Sequence, residues 1–270
     1  MRLLLVQVTT GTDPAANRAS IHAAVSAGLA AAGPVDLVVL PEAAHVDFGD
    51  GASLRDAAEP TDGPFVGLLA ELAAHWRATV VAGMFEQVEG GLPFNTLVAV
   101  QPDGALAATY RKTHLYDAFG YRESDWIGAG VPVAVTLDIA GADGGTTRVG
   151  LSTCYDLRFP EHFRALADAG AHLVLVPAAW LRGPSKEHHW ATLLAARAVE
   201  NTVYVAGAAK SGQRYCGLSR LVDPMGRVVA GTAEQDGTVV GEVDTDRVAE
   251  VRAVNPSLAN RRWEVRPRRA

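Results

Sequence analysis

Residues 36–44 read DLVVLPEAA, and residues 172–180, which lie 136 positions later, read HLVLVPAAW. Each stretch contains a continuous apolar run, rich in valine and leucine, that reaches a proline. Such a run is typical of a strand that is buried on both faces of a sheet. The repeated pattern predicts that one structural unit occurs twice in the chain.

Two further repeats follow in the same order along the chain. TVVAG at 79–83 returns as VYVAG at 203–207, and a strand–turn–strand pattern at 97–108 returns at 218–230. One such similarity is weak evidence, but three in the same order are harder to assign to chance. Each half then reads β-α-β-α-β-β. Strands that alternate with helices indicate sheets covered by helices. We therefore expect an α/β fold in which the halves pack sheet to sheet, a four-layer αββα sandwich with an internal pseudo-twofold duplication.

The helices of the first half fit this plan. Asp13 and Pro14 predict a helix start, because aspartate caps helix N-termini and proline is favoured at the first helical position. Apolar residues recur on one face of each helix, at Ile21, Val25 and Leu29 in the first and at Phe65, Leu68, Leu69, Leu72, Ala73 and Trp76 in the second.

Composition limits the class of protein. With 270 residues, of which 49% are hydrophobic, the chain can form one large core, and we expect a single domain over 1–270. The net charge of −6 opposes nucleic acid as a partner. Two cysteines cannot build a disulfide framework, and no run approaches the roughly 18 apolar residues of a membrane span. We expect a cytoplasmic protein without a membrane partner, whose arginine-rich tail, residues 256–270, contacts another subunit.

Cys154 is the first candidate for chemistry. It ends the apolar run VGLST at 149–153 and is followed directly by YDLRFPE at 155–161. A strand that stops at a thiol, just before a helix that begins at Pro160, places the sulfur at the rim of a sheet, where α/β enzymes carry their active sites. The alternative is a small buried hydrophobe, which is the usual role of an unpaired cysteine. We expect that role for Cys216.

Glu42 is the second candidate. It stands where the second copy of the repeat has Ala178. Duplicated scaffolds share their core residues, so positions where the halves differ are better functional candidates. A carboxylate at the end of a buried strand is costly unless it is paired or used. A solvated loop glutamate is the alternative.

A basic segment closes the first hairpin. Strand alternation places Lys112 on the opposite side from Arg111. If Lys112 points inward it lies beside Cys154, where its charge would lower the thiol pKa and stabilise an oxyanion. His114 is the rival partner, as the base of a Cys–His pair. The spacing alone does not separate the two.

Three motifs together resemble a known family. LPE at 40–42, YRKTHL at 110–115 and CYDLRFPE at 154–161 are similar, in order and separation, to the three signature blocks of the nitrilase superfamily of carbon–nitrogen hydrolases. The resemblance covers nearly the whole chain and is strongest to the Nit and ω-amidase branch. It implies an αββα sandwich and a homodimer formed through helices.

The resemblance also implies residue roles. Cys154 matches the nucleophile, Glu42 the general base, and Lys112 the oxyanion-stabilising residue, which acts with a backbone N–H near Tyr155. Glu123 matches a second carboxylate that orients the lysine. His114, Asp156, Arg158 and Glu161 match structural positions.

The implied reaction is hydrolysis of the carbon–nitrogen bond of a small linear amide to a carboxylate and ammonia through a cysteine thioester. It needs no metal and no organic cofactor. A small ω-amide that bears a carboxylate is the favoured substrate. Nitrile hydrolysis, N-carbamoyl hydrolysis and acyl transfer are the chemical alternatives, and an inactive binding or scaffold protein is the alternative of another class.

The substrate pocket is less legible in the sequence. Aromatic residues near the three motifs are candidates for its walls: Phe48, Phe119, Tyr121, Tyr155 and Trp180. One departure from the ω-amidase pattern is Gly217-Leu218-Ser219, where those enzymes usually have a histidine in the place of Leu218. That difference leaves the acyl specificity open.

Overall fold

The computed structural model describes residues 1–142 and 144–268. Its first half contains β1 (Arg2–Gln7), α1 (Pro14–Ala32), β2 (Leu37–Val39), α2 (Gly51–Ala57), α3 (Pro64–Trp76), β3 (Thr79–Glu86), β4 (Phe94–Val100), β5 (Leu106–Arg111), β6 (Asp117–Ala118), β7 (Tyr121–Arg122) and a 3-10 turn (Glu123–Asp125). Its second half contains β8 (Thr136–Ala140), β9 (Thr146–Leu151), a 3-10 turn (Cys154–Arg158), α4 (Pro160–Asp168), β10 (Leu173–Ala178), α5 (Lys186–Asn201), β11 (Tyr204–Ala209), β12 (Arg220–Val222), β13 (Val228–Gly231), β14 (Gly237–Glu242) and α6 (Thr245–Val254).

Of the fourteen strands named above, twelve form two six-stranded sheets with the same internal order, and β6 and β7 form a separate hairpin. The first sheet runs β14-β1-β2-β3-β4-β5 and the second runs β13-β12-β11-β10-β9-β8. In each sheet three strands are parallel and the following hairpin is antiparallel. The predicted duplication is confirmed, because β1 to β5 and β9 to β13 occupy equivalent places.

Two outer strands extend the repeated unit. β8 pairs antiparallel with β9, and β14 crosses from the second half to pair antiparallel with β1 of the first sheet. The internal repeat does not reveal them, since β14 has glycine at both Gly237 and Gly241 and no continuous apolar run. The C-terminal strand thus ties the second half to the first sheet.

Alternation along the strands creates the layers. In β1, Leu3 and Leu5 face the other sheet, whereas Leu4 and Val6 face the helices. The layer between the sheets joins apolar residues of both halves, among them Leu37, Val39, Val81, Leu97, Val149, Leu151, Leu173, Leu175 and Ala206. Helices α1 and α3 cover the first sheet, and α4 and α5 cover the second. The predicted αββα sandwich is confirmed.

The predicted helix features are also present. The Asp13 carboxylate accepts hydrogen bonds from the backbone of Ala15 and Ala16 at the start of α1. The predicted apolar faces of α1 and α3 pack on the first sheet. None of the helices within the described ranges is long and apolar enough to cross a membrane.

Gly83 lets the chain after β2 pass close to β3. Its N–H donates to the Pro41 carbonyl at 3.0 Å, and its carbonyl accepts from Ala44 N at 3.0 Å. A Cβ at this position would lie 2.6 Å from the Glu42 Cα and 2.8 Å from the Ala43 nitrogen. Glycine is therefore needed where Glu42 is held against the sheet edge.

A Gly83→Ala variant is expected to be less stable by about 2 kcal/mol, because the added methyl group meets backbone that cannot move independently of the sheet. Thermal denaturation followed by circular dichroism measures the change. Gly67→Ala in α3 is the matched control, since a Cβ there meets nothing within 4 Å and alanine favours a helix. Equal melting temperatures for the two variants would contradict this account of Gly83.

Candidate active site

Cys154 lies on a sharp turn after β9. It opens the 3-10 turn with a backbone φ of 43°, a value that L-residues other than asparagine and aspartate seldom adopt. Such conformations persist where the surroundings hold them, and they concentrate at functional sites. The turn presents the thiol at the end of the sheet.

Asp156 holds this turn from within. Its carboxylate accepts from Thr153 N at 2.9 Å and from the Tyr110 hydroxyl at 2.7 Å, and it also contacts the His114 ring nitrogen Nδ1 at 2.7 Å. Burial disfavours the charge of Asp156, but the hydrogen bonds from His114 and Tyr110 and the nearby His162 ring outweigh it and lower the pKa of the carboxyl group. The His114 ring also stacks on Phe159, with 3.8 Å between ring centroids. The structure therefore places His114 in the network that supports the turn.

Lys112 lies between two carboxylates. It follows the end of β5, and its Nζ is 2.9 Å from Glu42 Oε1 and 2.8 Å from Glu123 Oε2. Glu42 follows β2, and Glu123 begins the 3-10 turn after the β6–β7 hairpin. All three residues are at most 1% exposed. Buried charges of this kind are tolerated when each one is paired and hydrogen-bonded.

Neutral donors complete the cluster. Asn95 Nδ2 donates to Glu42 Oε1 at 2.8 Å and to Glu123 Oε1 at 3.0 Å. Backbone amides supply two more bonds, from Ala179 N to Glu42 Oε2 at 2.7 Å and from Tyr116 N to Glu123 Oε2 at 2.7 Å. Two carboxylates and one ammonium leave one negative charge in excess, and these dipoles stabilise it without adding charge.

The surroundings set the protonation of the cysteine and the lysine. Burial and the negative charge of Glu42 raise the pKa of the Cys154 thiol well above its usual range, although Lys112 acts in the opposite direction. For Lys112, burial opposes the charge, but Glu123 and Glu42 outweigh it and raise the pKa. The charge of Lys112 lowers the thiol pKa, as expected, but burial and Glu42 outweigh that contribution. The resting cysteine is a neutral thiol with a carboxylate nearby.

A cavity of about 320 Å³ opens over this cluster. Its walls include Glu42, Phe48, Lys112, Tyr116, Tyr121, Glu123, Cys154, Tyr155, Arg158, Trp180, Lys186, Arg214 and Tyr215. Of the predicted pocket residues, Tyr121, Tyr155, Trp180 and Phe48 are in this set. Phe119 is not in this set and is 70% exposed, although its ring centroid lies 3.5 Å from the Nζ of the lining residue Lys186. Leu218 is also absent from the lining, and it packs against the apolar cluster between the second sheet and its helices.

Several residues that line or support the cavity were not predicted from the sequence. Asn95 had a weak signal, since it and Thr96 are the two polar residues of the otherwise apolar strand β4. Lys186 and Arg214 had none, because each belongs to a loop or a helix start that reaches the cavity only in the folded chain. Arg158 was expected to be structural, yet it lines the cavity, with its guanidinium 4.9 Å from the Trp180 ring centroid.

Metal-ligating side chains are not grouped near this cavity or elsewhere in the described part of the chain. No three histidine, cysteine, aspartate or glutamate side chains among residues 1–142 and 144–268 are arranged to hold a metal ion. The polar groups of the cavity are instead a thiol, two carboxylates, four cationic side chains and tyrosine hydroxyls.

Comparison with known proteins identifies the class. The family Carbon-nitrogen hydrolase matches residues 2–253. A deaminated glutathione amidase of Escherichia coli O157:H7 is 42% identical over 236 residues, which cover 87% of each chain. The omega-amidase NIT2 of Danio rerio is 30% identical over 238 residues, 84% of this chain and 82% of the relative.

One similar solved structure contains a chemically modified active-site cysteine. A mutant of the amidase from Nesterenkonia sp. AN1, which shows Michael addition of acrylamide at the active-site cysteine, has a TM-score of 0.76 and 25% identity. The match covers 94% of this chain and 97% of the amidase.

The present chain belongs to the carbon–nitrogen hydrolase family of the nitrilase superfamily. Within it, the chain is an amidase-type enzyme, and the alternative of an inactive scaffold is not supported.

Proposed function

We propose that Cys154, Glu42, Lys112 and Glu123 carry out the hydrolysis of the carbon–nitrogen bond of an amide. The observation that supports the proposal is the buried Lys112, paired with two carboxylates at the floor of a cavity into which Cys154 opens. Glu42 removes the thiol proton as the sulfur attacks the amide carbon. Because the pKa of Cys154 is raised, the thiol needs such a base at neutral pH.

The negative charge then develops on the substrate oxygen. Lys112 and the backbone N–H of Tyr155 stabilise it, since the first N–H groups of a helical turn have no partner within the turn. Glu123 holds the lysine in position. The tetrahedral intermediate collapses, the carbon–nitrogen bond breaks, and protonated Glu42 gives its proton to the nitrogen, so that ammonia leaves.

The thioester is then hydrolysed at the same site. Glu42 takes a proton from water, the oxygen attacks the thioester carbon, and the carbon–sulfur bond breaks. The thiolate recovers the proton from Glu42, and the carboxylic acid that forms passes its remaining proton to ammonia or solvent and leaves as the carboxylate. Each proton that leaves one group is received by another, and Cys154 returns to its thiol form.

The charges around the cavity favour an anionic substrate. Lys186 Nζ donates to the Tyr116 hydroxyl at 2.9 Å and Arg214 donates to the Tyr215 hydroxyl at 2.9 Å. Tyrosine hydroxyls do not neutralise these cations, and burial raises the pKa of Tyr215 so that it keeps its proton. Together with Arg158 they can bind a carboxylate by charge-assisted hydrogen bonds. The proposed substrate is therefore a small ω-amide that bears a carboxylate, in line with the names of the two relatives.

A panel of small matched compounds tests this proposal. Succinamate is expected to have a kcat/KM about 100-fold above that of butanamide, which has the same chain length without the carboxylate, because a charged hydrogen bond contributes about 1.5–3 kcal/mol. A Lys186→Met variant should lose much of this preference through a raised KM. Ammonia release is the measurement.

The panel also separates the chemical alternatives. 3-Cyanopropionate and N-carbamoyl-β-alanine present the same carboxylate with a nitrile or a carbamoyl group. Turnover of either one without turnover of any amide would overturn the proposed substrate class. Equal rates for succinamate and butanamide would instead contradict only the role of the cationic side chains.

We propose further that the chain acts as a single domain and as a cytoplasmic homodimer. Cavity residues come from both halves, and both cysteines are free. Arg261 pairs with Asp168 of α4, so the tail lies on the protein, while Trp263 is 87% exposed and available for a subunit contact. Arg269 of the tail lies outside the described residues. Sedimentation velocity that gives a monomer mass would contradict the dimer.

A further inference from the structure

Lys210 is a second buried lysine that the proposed reaction does not use. It follows the end of β11 and is fully buried. Its Nζ is 2.7 Å from Asp47 Oδ1 and 3.2 Å from the Ala43 carbonyl oxygen. A buried ammonium is costly unless its partners are well placed. Because this cost is avoided only by placing its partners closely, we expect the contacts of Lys210 to serve a role besides packing.

The first contact reaches the residue after Glu42. Ala43 has a backbone φ of 51°, which is the strained left-handed region for a residue with a side chain. Its carbonyl accepts from Lys210 and from Thr10 Oγ1, the latter at 3.2 Å. Both bonds hold the strained turn, and with it the direction of the Glu42 side chain.

The contact with Asp47 connects Lys210 to residues that line the cavity. Asp47 precedes Phe48 and Gly49, which line it. The same Asp47 oxygen that pairs with Lys210 also accepts from the Tyr215 hydroxyl at 2.5 Å. Since that hydroxyl has one proton and donates it to Asp47, it must accept from the Arg214 guanidinium. The loop that carries Arg214 is thereby fixed to the loop that carries Phe48.

We propose that Lys210 is a positioning residue that, through Ala43 and Asp47, holds the Glu42 turn and the Arg214 loop in one geometry. It couples the base at the floor of the cavity to the cationic group proposed to bind the substrate carboxylate. This inference rests on the proposed roles of Glu42 and Arg214. Lys210 itself does not touch the reacting atoms.

Four variants of the full chain test the proposal, with succinamate and butanamide as substrates. Lys210→Met keeps the length of the side chain and removes the charge, and we expect kcat to fall about 100-fold on both amides, as misplacement of a catalytic group by about 1 Å does. Tyr215→Phe removes the hydroxyl that joins Asp47 to Arg214 and leaves the contacts of Lys210 with Ala43 and Asp47 in place. It should raise KM for succinamate more than KM for butanamide, and it should lower kcat less than Lys210→Met does.

A control and a double variant separate positioning from stability. Arg148→Met breaks the exposed ion pair with Asp138 and should leave both substrates unchanged. Lys210→Met combined with Asp47→Asn removes the buried ammonium and the charge of its half-buried partner, so the melting temperature should recover relative to Lys210→Met alone while kcat stays low. Recovery of kcat together with the melting temperature would show a structural role only.

Different results would contradict the role of Lys210 and the proposed function. A folded Lys210→Met enzyme with wild-type kcat and KM on both amides would overturn the role of Lys210. A wild-type enzyme that hydrolyses neither amide would overturn the proposed substrate class instead.

Discussion

A Cys154→Ala variant is expected to lose amide hydrolysis by at least about 10⁴-fold, because removing the nucleophile from a unit of cooperating groups removes nearly all of its chemistry. The substitution shortens a side chain at the cavity surface and leaves the buried Lys112, Glu42 and Glu123 cluster paired. The protein should therefore stay folded. Ammonia release from succinamate, followed beside a circular dichroism spectrum, measures both properties.

Cys216 provides the matched control. It is fully buried, its thiol donates to the Gly217 carbonyl, and burial raises its pKa to about 12. Cys216→Ala should keep its activity. Iodoacetamide, itself an amide, should label Cys154 near neutral pH much faster than Cys216, since only Cys154 lines the cavity and has Glu42 beside it. A Cys154→Ala enzyme that works at the wild-type rate would refute the assignment of the nucleophile.

The central strands were predictable because burial on both faces demands a continuous apolar run. The repeats at 36–44 and 172–180 therefore identified β2 and β10, and their order identified the two equivalent sheets. β14 was not predictable in this way. It is a partly exposed edge strand, and its place beside β1 depends on the return of the chain from the second half, which no local pattern encodes.

The residues of the candidate site also differ in whether the sequence could predict them. Glu42 differs from its counterpart Ala178 in the repeat, so the duplication itself singled it out. The convergence of Arg158, Lys186 and Arg214 depends on three separate segments meeting above the sheet edge. The net direction of the thiol pKa also required the structure, because it depends on the balance of burial, Glu42 and Lys112 rather than on any one neighbour.

A Glu42→Gln variant is expected to slow amide hydrolysis while making the Cys154 thiol easier to ionise. Glutamine cannot act as the base, so kcat for succinamate should fall about 10³-fold, within the usual range for loss of general base catalysis. The negative charge of Glu42 also raises the pKa of the Cys154 thiol. Its removal should therefore lower that pKa, and the midpoint of the pH profile of iodoacetamide labelling should shift to lower pH.

The Glu42→Gln substitution is also expected to lower the stability of the protein, because it disturbs the hydrogen bonds of this side chain. The Glu42 carboxylate accepts from Lys112 and Asn95 on one oxygen and from Ala179 on the other. A glutamine must turn its NH₂ group toward one of these sets of donors, which leaves a buried donor unpaired. This costs about 1–3 kcal/mol in the free energy of unfolding. Urea denaturation measures it.

Glu86→Gln is the matched control for the labelling profile. Glu86 is also a buried carboxylate in an ion pair, with Arg111, but it does not line the cavity. Its substitution should leave the midpoint of Cys154 labelling unchanged. A Glu42→Gln enzyme with full kcat would mean that another group takes the thiol proton. A low kcat with an unchanged labelling midpoint would mean that Glu42 acts on the substrate without influencing the charge of the thiol, which would contradict the electrostatic account of this site.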